Sequence, residues 1–135
     1  MPVMPKTYFD RSYATVEYRS DEQIVFCELT EYAEGEDYRE YMNSVIEAAK
    51  ANGASDVVAD VSDAPTLDQA DQDWTEKTWG PNAEEAGVKS VAMLVPESVV
   101  SKMSMEGATE DPEDDIERQW FDNYEDAVSW TRSIA

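Results

Sequence analysis

The chain has no histidine and a single cysteine, Cys27, among its 135 residues. The first absence excludes a Ser-His-Asp triad, an HExxH zinc site and any imidazole acid or base from this chain. The second excludes an intrachain disulfide and a multi-cysteine metal site. Cations are scarce as well: Lys and Arg number 10 against 31 Asp plus Glu, for a formal charge of −21. No nucleic-acid partner is expected, because neutralising phosphates needs clustered cations. Apolar runs reach at most five residues, at Val91 to Val95. That is too short for a membrane span or for the apolar core of a signal peptide. The expectation is one cytoplasmic domain.

Large aliphatic residues are few too. Val, Ile, Leu and Phe make up 23 residues, about 17% of the chain, which at this charge is a composition associated with disorder. Two features oppose that rule: 7 Tyr, 4 Trp and 6 Met add large apolar side chains, and the apolar positions are periodic. Lysine is rare, acidic groups occur in every segment, and Val and Ala far outnumber Ile and Leu. This is the composition of a protein from a salt-in halophile. Its self-repulsion weakens when salt shortens the Debye length from about 10 Å at 0.1 M to about 3 Å at 1 M. The acidic residues are spread from Asp10 to Asp126, unlike an acidic patch reserved for one basic partner.

Residues 1–12 carry Pro2 and Pro5 and show no sustained period, so they are read as an N-terminal arm ahead of a single domain over 13–135. Tyr13 to Tyr18 alternates, and Ile24 to Leu29 is a β-rich run; the polar stretch Arg19 to Gln23 between them predicts an antiparallel hairpin. From Glu36 the period becomes helical, with Tyr38, Tyr41, Met42, Val45, Ile46 and Ala49 on one face and Gly53 at the C′ position. Asp56 to Val61 reads as a short strand. Thr66 with Gln69 forms a capping box for a second helix, which Gly80-Pro81 interrupts, with one more turn before Gly87. Ser90 to Val95 reads as a central strand. A short helix carrying Val99, Val100 and Met103 and an acidic loop over 107–115 follow. Ile116 to Phe121 is the last strand, and Asp122 with Glu125 caps the final helix, to which Trp130 adds an anchor. The order is ββαβαβαβα. It specifies an α/β domain: an opening antiparallel hairpin, then a mostly parallel five-stranded sheet packed by helices.

Four chemical constellations stand out, each beside a plainer reading. Asp60 and Asp63 at a strand end invite comparison with a phospho-accepting receiver, but the acidic pair and lysine of such a site are missing; a carboxylate satisfied by loop amides is the plainer reading. Asp68, Asp71 and Asp73 lack the spacing and glycine of a calcium loop, and Glu110 to Asp115 reads as a solvated loop, so no metal is expected. Trp74 and Trp79, five residues apart, suit either the core or the apolar wall of a small-molecule pocket. In the second case the crevice at the strand ends adds Ser62, Asp63 and Thr66 as polar contacts. Cys27 reads as a small core residue.

The element order and several residue stretches resemble the SpoIIAA-like fold of STAS domains and of the lipid-binding half of Sec14-type proteins. Those stretches are Asp60, Asp73-Trp74, Trp79-Gly80-Pro81, Gly87 to Ala92, Pro96, and Phe121 to Trp130. The resemblance covers roughly residues 13–134 and points to a prokaryotic STAS/Sec14-like subfamily of single-domain proteins. It implies a non-enzymatic interaction or regulatory module. Gln69 stands where anti-anti-sigma relatives carry a phosphorylatable serine, so no phosphorylation switch is expected. The Sec14 side of the resemblance implies the alternative, a binder of a small apolar or amphipathic ligand near Asp63 and Trp74/Trp79. With no nucleophile, metal or nucleotide motif, neither enzyme activity nor a cofactor is expected. The partner is then an unidentified protein or a small apolar ligand, and the sequence leaves room for a homodimer.

Overall fold

The computed structural model describes residues 6–62, 68–94, 115–121 and 123–133. Six strands, β1 Lys6–Arg11, β2 Ala14–Arg19, β3 Ile24–Leu29, β4 Asp56–Asp60, β5 Ser90–Leu94 and β6 Glu117–Phe121, form one sheet in sequential order. β1, β2 and β3 are antiparallel neighbours, and β3 to β6 run parallel. The helices are α1 Glu36–Asn52, α2 Gln69–Trp74, α3 Gly80–Glu85 and α4 Tyr124–Ser133. The expected α/β architecture is present, with one strand more than the sequence indicated.

That extra strand lies in residues assigned to the arm. β1 shows no alternation because its pairing shifts between Thr7 and Phe9, and a bulge reverses the side-chain parity on which a period-2 pattern depends. Phe9 alone of the strand is buried. It packs 6.0 Å from both Tyr13 and Tyr41, ring centre to ring centre, which fastens the edge to the core.

Alternation divides the inner strands between two layers. Val25, Cys27 and Leu29 of β3, Val57 of β4 and Val91 and Met93 of β5 face α1, Trp79 and Ala83. Ile24, Phe26, Val58, Ala92 and Leu94 face Ala127 and Val128 of α4. Each strand thus buries both faces, as central parallel strands do. Burying one such side chain contributes about 1.5–3 kcal/mol. α1 ends as its sequence predicts: Gly53 is left-handed at φ 61°, and its N–H reaches the Ala49 and Lys50 carbonyls.

Three local expectations are corrected. Gly80-Pro81 does not interrupt the second helix. A π-helical segment, Thr75–Trp79, joins α2 directly to α3, and the change from α to π spacing falls just ahead of Pro81, which has no N–H to give to the ladder. Asp68 caps α2, its side chain accepting the Ala70 N–H at 3.1 Å, in place of the Thr66–Gln69 box. At α4 the capping pair is Asn123 with Asp126. Asn123 Oδ1 accepts the Asp126 N–H at 2.9 Å, and Asn123 Nδ2 donates to Asp126 Oδ2 at 3.0 Å. Thr66, Asp122 and the helix over Val99 to Met103 lie outside the described residues.

Candidate functional site

Between the sheet and α1 lies a cavity of about 70 Å³. Its floor is the α1-facing side of the parallel strands: Cys27 and Leu29 of β3, Val57 and Ala59 of β4, Val91 and Met93 of β5. These positions share a face because the strands pair in register, Val25 with Val57 and Val57 with Val91, and side chains repeat every second residue. The roof comes from α1, where the helical period brings Tyr38, Tyr41, Met42 and Val45 to one side, and from Thr75 and Trp79 of the π segment. Four residues apart, Thr75 and Trp79 both turn inward and are buried. Val61 and Arg118 complete the wall.

The polar atoms of the wall are few and connected. Thr75 Oγ1 donates to the Asp71 carbonyl at 2.8 Å. A hydroxyl has one proton, so Tyr38 O–H must be the donor in its 2.9 Å bond to Thr75 Oγ1. Burial pushes the Cys27 thiol from 9.0 up to about 12, against the lowering effect of a hydrogen bond from Tyr41. Burial also pushes the Tyr41 phenol well above 10.0, helped by the neighbouring Cys27, and is the main cause that raises the Tyr38 phenol. All three stay neutral near pH 7. A buried thiol so raised is not a nucleophile at that pH.

The residues expected to form a pocket have separate fates. Trp79 lines the cavity, 4% exposed, with its indole N–H donating to the Met42 carbonyl at 2.7 Å. Trp74 does not line it. Its half-buried ring meets the edge of Tyr38 at 6.2 Å and lies beneath the Arg39 guanidinium at 5.4 Å. Ser62 turns its backbone N–H and its hydroxyl onto Asp60 Oδ1, at 3.1 and 2.6 Å, closing the end of β4 by an Asx-type turn. Asp63 and Thr66 lie outside the described residues.

Sequence reasoning passed over Tyr38, Tyr41, Met42, Thr75 and Arg118 as wall residues. Helical spacing identified the α1 stripe correctly but not the space beneath it. The acidic trio diverges: Asp68 caps α2, Asp71 reaches Gly35, and Asp73 accepts from Gln69 Nε2 at 3.1 Å. Among the described residues no group of three His, Cys, Asp or Glu is placed to hold a metal, and no helix is long and apolar enough to cross a membrane. Compared with protein-family models, curated proteins and solved structures, the chain matches none.

Proposed function

We propose that this domain is a non-enzymatic module that binds a small, mainly apolar ligand between its sheet and α1. The observation that carries this reading is the cavity itself: an apolar space edged by a few connected hydroxyls, the usual composition of a small-molecule site. Its volume is about half of the roughly 150 Å³ that accommodates benzene in an engineered apolar cavity. The guest is therefore short, unless Met42 and Met93 change rotamer; both are flexible thioethers suited to such adjustment. Among the described residues Tyr32 alone is a large apolar side chain in the open. A protein partner would have to be met through charged and polar groups, and for that reason the ligand reading is preferred to a STAS-like interaction module. If the STAS/Sec14 resemblance holds, ligand occupancy is what such a module would report.

Titration of the ¹⁵N-labelled protein with n-butanol in about 2 M KCl, where self-repulsion is screened, tests the proposal. Amide shifts should concentrate on β3 to β5, α1 and the π segment, and saturate. Ala59→Leu, which fills the floor, should abolish them while leaving the remaining spectrum folded. Shifts scattered over the surface, or none, would overturn it.

A further inference from the structure

The hydroxyl and indole donors of the cavity wall are all closed on other atoms of the protein. Tyr38 O–H donates to Thr75 Oγ1 at 2.9 Å, and Thr75 gives its own proton to the Asp71 carbonyl at 2.8 Å. Tyr41 bonds the Cys27 thiol, and the Trp79 indole N–H donates to the Met42 carbonyl at 2.7 Å. The Arg118 guanidinium is engaged with the Ile116 carbonyl at 3.3 Å and with at least one further partner. What faces the space is nearly all carbon and sulfur, from side chains such as Leu29, Val57, Met42 and Met93.

We infer that the ligand is a hydrocarbon without a head group, of about three carbons; the inference rests on the cavity being a ligand site. Size follows from volume: about 70 Å³ is near half of the roughly 150 Å³ that holds the six carbons of benzene. Chemistry follows from the closed donors. A hydroxyl, carbonyl or carboxyl oxygen brought into this space gives up its bonds to water and meets no hydroxyl or indole proton, unless a bond within the wall breaks to receive it. Either course is unfavourable. An ammonium would bring in an unpaired charge, which is worse. A hydrocarbon gives up no hydrogen bond. Water is excluded for the same reason, since a buried water needs about two to four polar partners, so the guest has no ordered solvent to displace. The wall holds it by dispersion. The sulfur atoms of Cys27, Met42 and Met93 are polarisable, as are the rings of Tyr38, Tyr41 and Trp79, and the two thioethers adjust to the guest's shape.

The test compares propane, dissolved under pressure, with 1-propanol as probes of the ¹⁵N-labelled protein in about 2 M KCl. The two differ by one oxygen, so the comparison isolates the hydroxyl. Propane should shift amides of β3 to β5, α1 and the π segment saturably and bind at least about a hundredfold more tightly than 1-propanol, the scale of an unpaired buried hydroxyl. Thr75→Val removes the acceptor of the Tyr38 proton and frees it for a guest, so the preference should shrink at least tenfold in that variant. An unchanged preference there overturns the argument from closed donors, and the hydrocarbon inference with it. The wild-type comparison needs no variant, so it decides even if Thr75→Val folds poorly. A smaller wild-type preference means that the hydroxyl finds a partner; it overturns the hydrocarbon inference and leaves the cavity reading standing. Binding of neither probe overturns both.

Discussion

The carboxyl group of Asp71, on α2, accepts the backbone N–H of Gly35 at the start of α1, at 2.9 Å from Oδ2 and 3.2 Å from Oδ1. Gly35 has no side chain with which to cap its own helix, and its φ of 58° turns the chain into α1 in a conformation that favours glycine. A second helix therefore supplies the cap, from a side chain only 1% exposed, with Arg39 Nε 3.8 Å from Oδ1. This joint sets the spacing of the two roof elements of the cavity, since Thr75 and Trp79 follow Asp71 by one and two turns.

Asp71→Ala should cost about 1–3 kcal/mol, because it removes the buried acceptor of the partly buried Gly35 N–H. Chemical denaturation in about 2 M KCl measures it. Asp71→Asn keeps one acceptor oxygen and should lose less. Because the roof loosens, butanol binding should weaken in Asp71→Ala as well. A stability within about 0.5 kcal/mol of wild type, the range of an ordinary surface substitution, would show that the helices dock without this contact.

The chain's charge of −21 gives a second expectation. Three ion pairs link described residues, Arg11–Glu40, Arg19–Glu17 and Arg39–Asp71, at 3.3–3.8 Å. Partly exposed pairs of this kind contribute at most about 1 kcal/mol each, so they do not offset the repulsion among the remaining carboxylates. Circular dichroism should show structure gained between low salt and about 2 M KCl, with the melting temperature rising alongside, as the Debye length falls to a few ångströms. Equal stability at both salts would reject the halophile reading.

Much of the fold was legible because its elements obey their own periods. α1, β3, β4 and β5 lie where alternation or helical spacing puts them, and Gly53 ends α1 as a left-handed C-cap should. What was illegible depends on partners distant in sequence. β1 gains its identity from pairing with β2 across a bulge, which hides its alternation. The π segment before Pro81 is a local accommodation that propensity does not encode, since the same residues read equally well as a helix end. Trp130 was expected as a buried anchor; it is half-buried, packed 5.6 Å from Phe121, because α4 crosses the sheet with Ala127, Val128 and Thr131 innermost. The cavity was hidden for a related reason. Tyr38, Tyr41 and Cys27 carry the same pattern whether or not the layers above and below them close completely.

The buried thiol and phenols also set how the protein responds to alkali. Cys27 titrates near 9.0 when exposed and near 12 in the fold, with burial as the main cause, and Tyr41 and Tyr38 are likewise raised above 10.0 by burial. Below about pH 9 these groups are protonated in both states, and their contribution to stability is fully present. Above that the unfolded chain releases protons that the folded chain retains, so stability falls as pH rises. The decline runs at up to about 1.4 kcal/mol per pH unit for each group and stops only once the folded-state value is passed. Denaturation midpoints in molar salt should therefore hold between pH 7 and about 9 and drop between about 9 and 12. Cys27→Val should remove the earliest part of the drop and leave the phenolic part above about pH 10. Iodoacetamide gives an independent reading: the native thiol should resist it at about pH 8 and react once denaturant exposes it, because only the thiolate attacks. Rapid labelling of the folded protein at that pH would mean that Cys27 opens to solvent as a thiolate, and its place as a buried, neutral thiol would have to be abandoned.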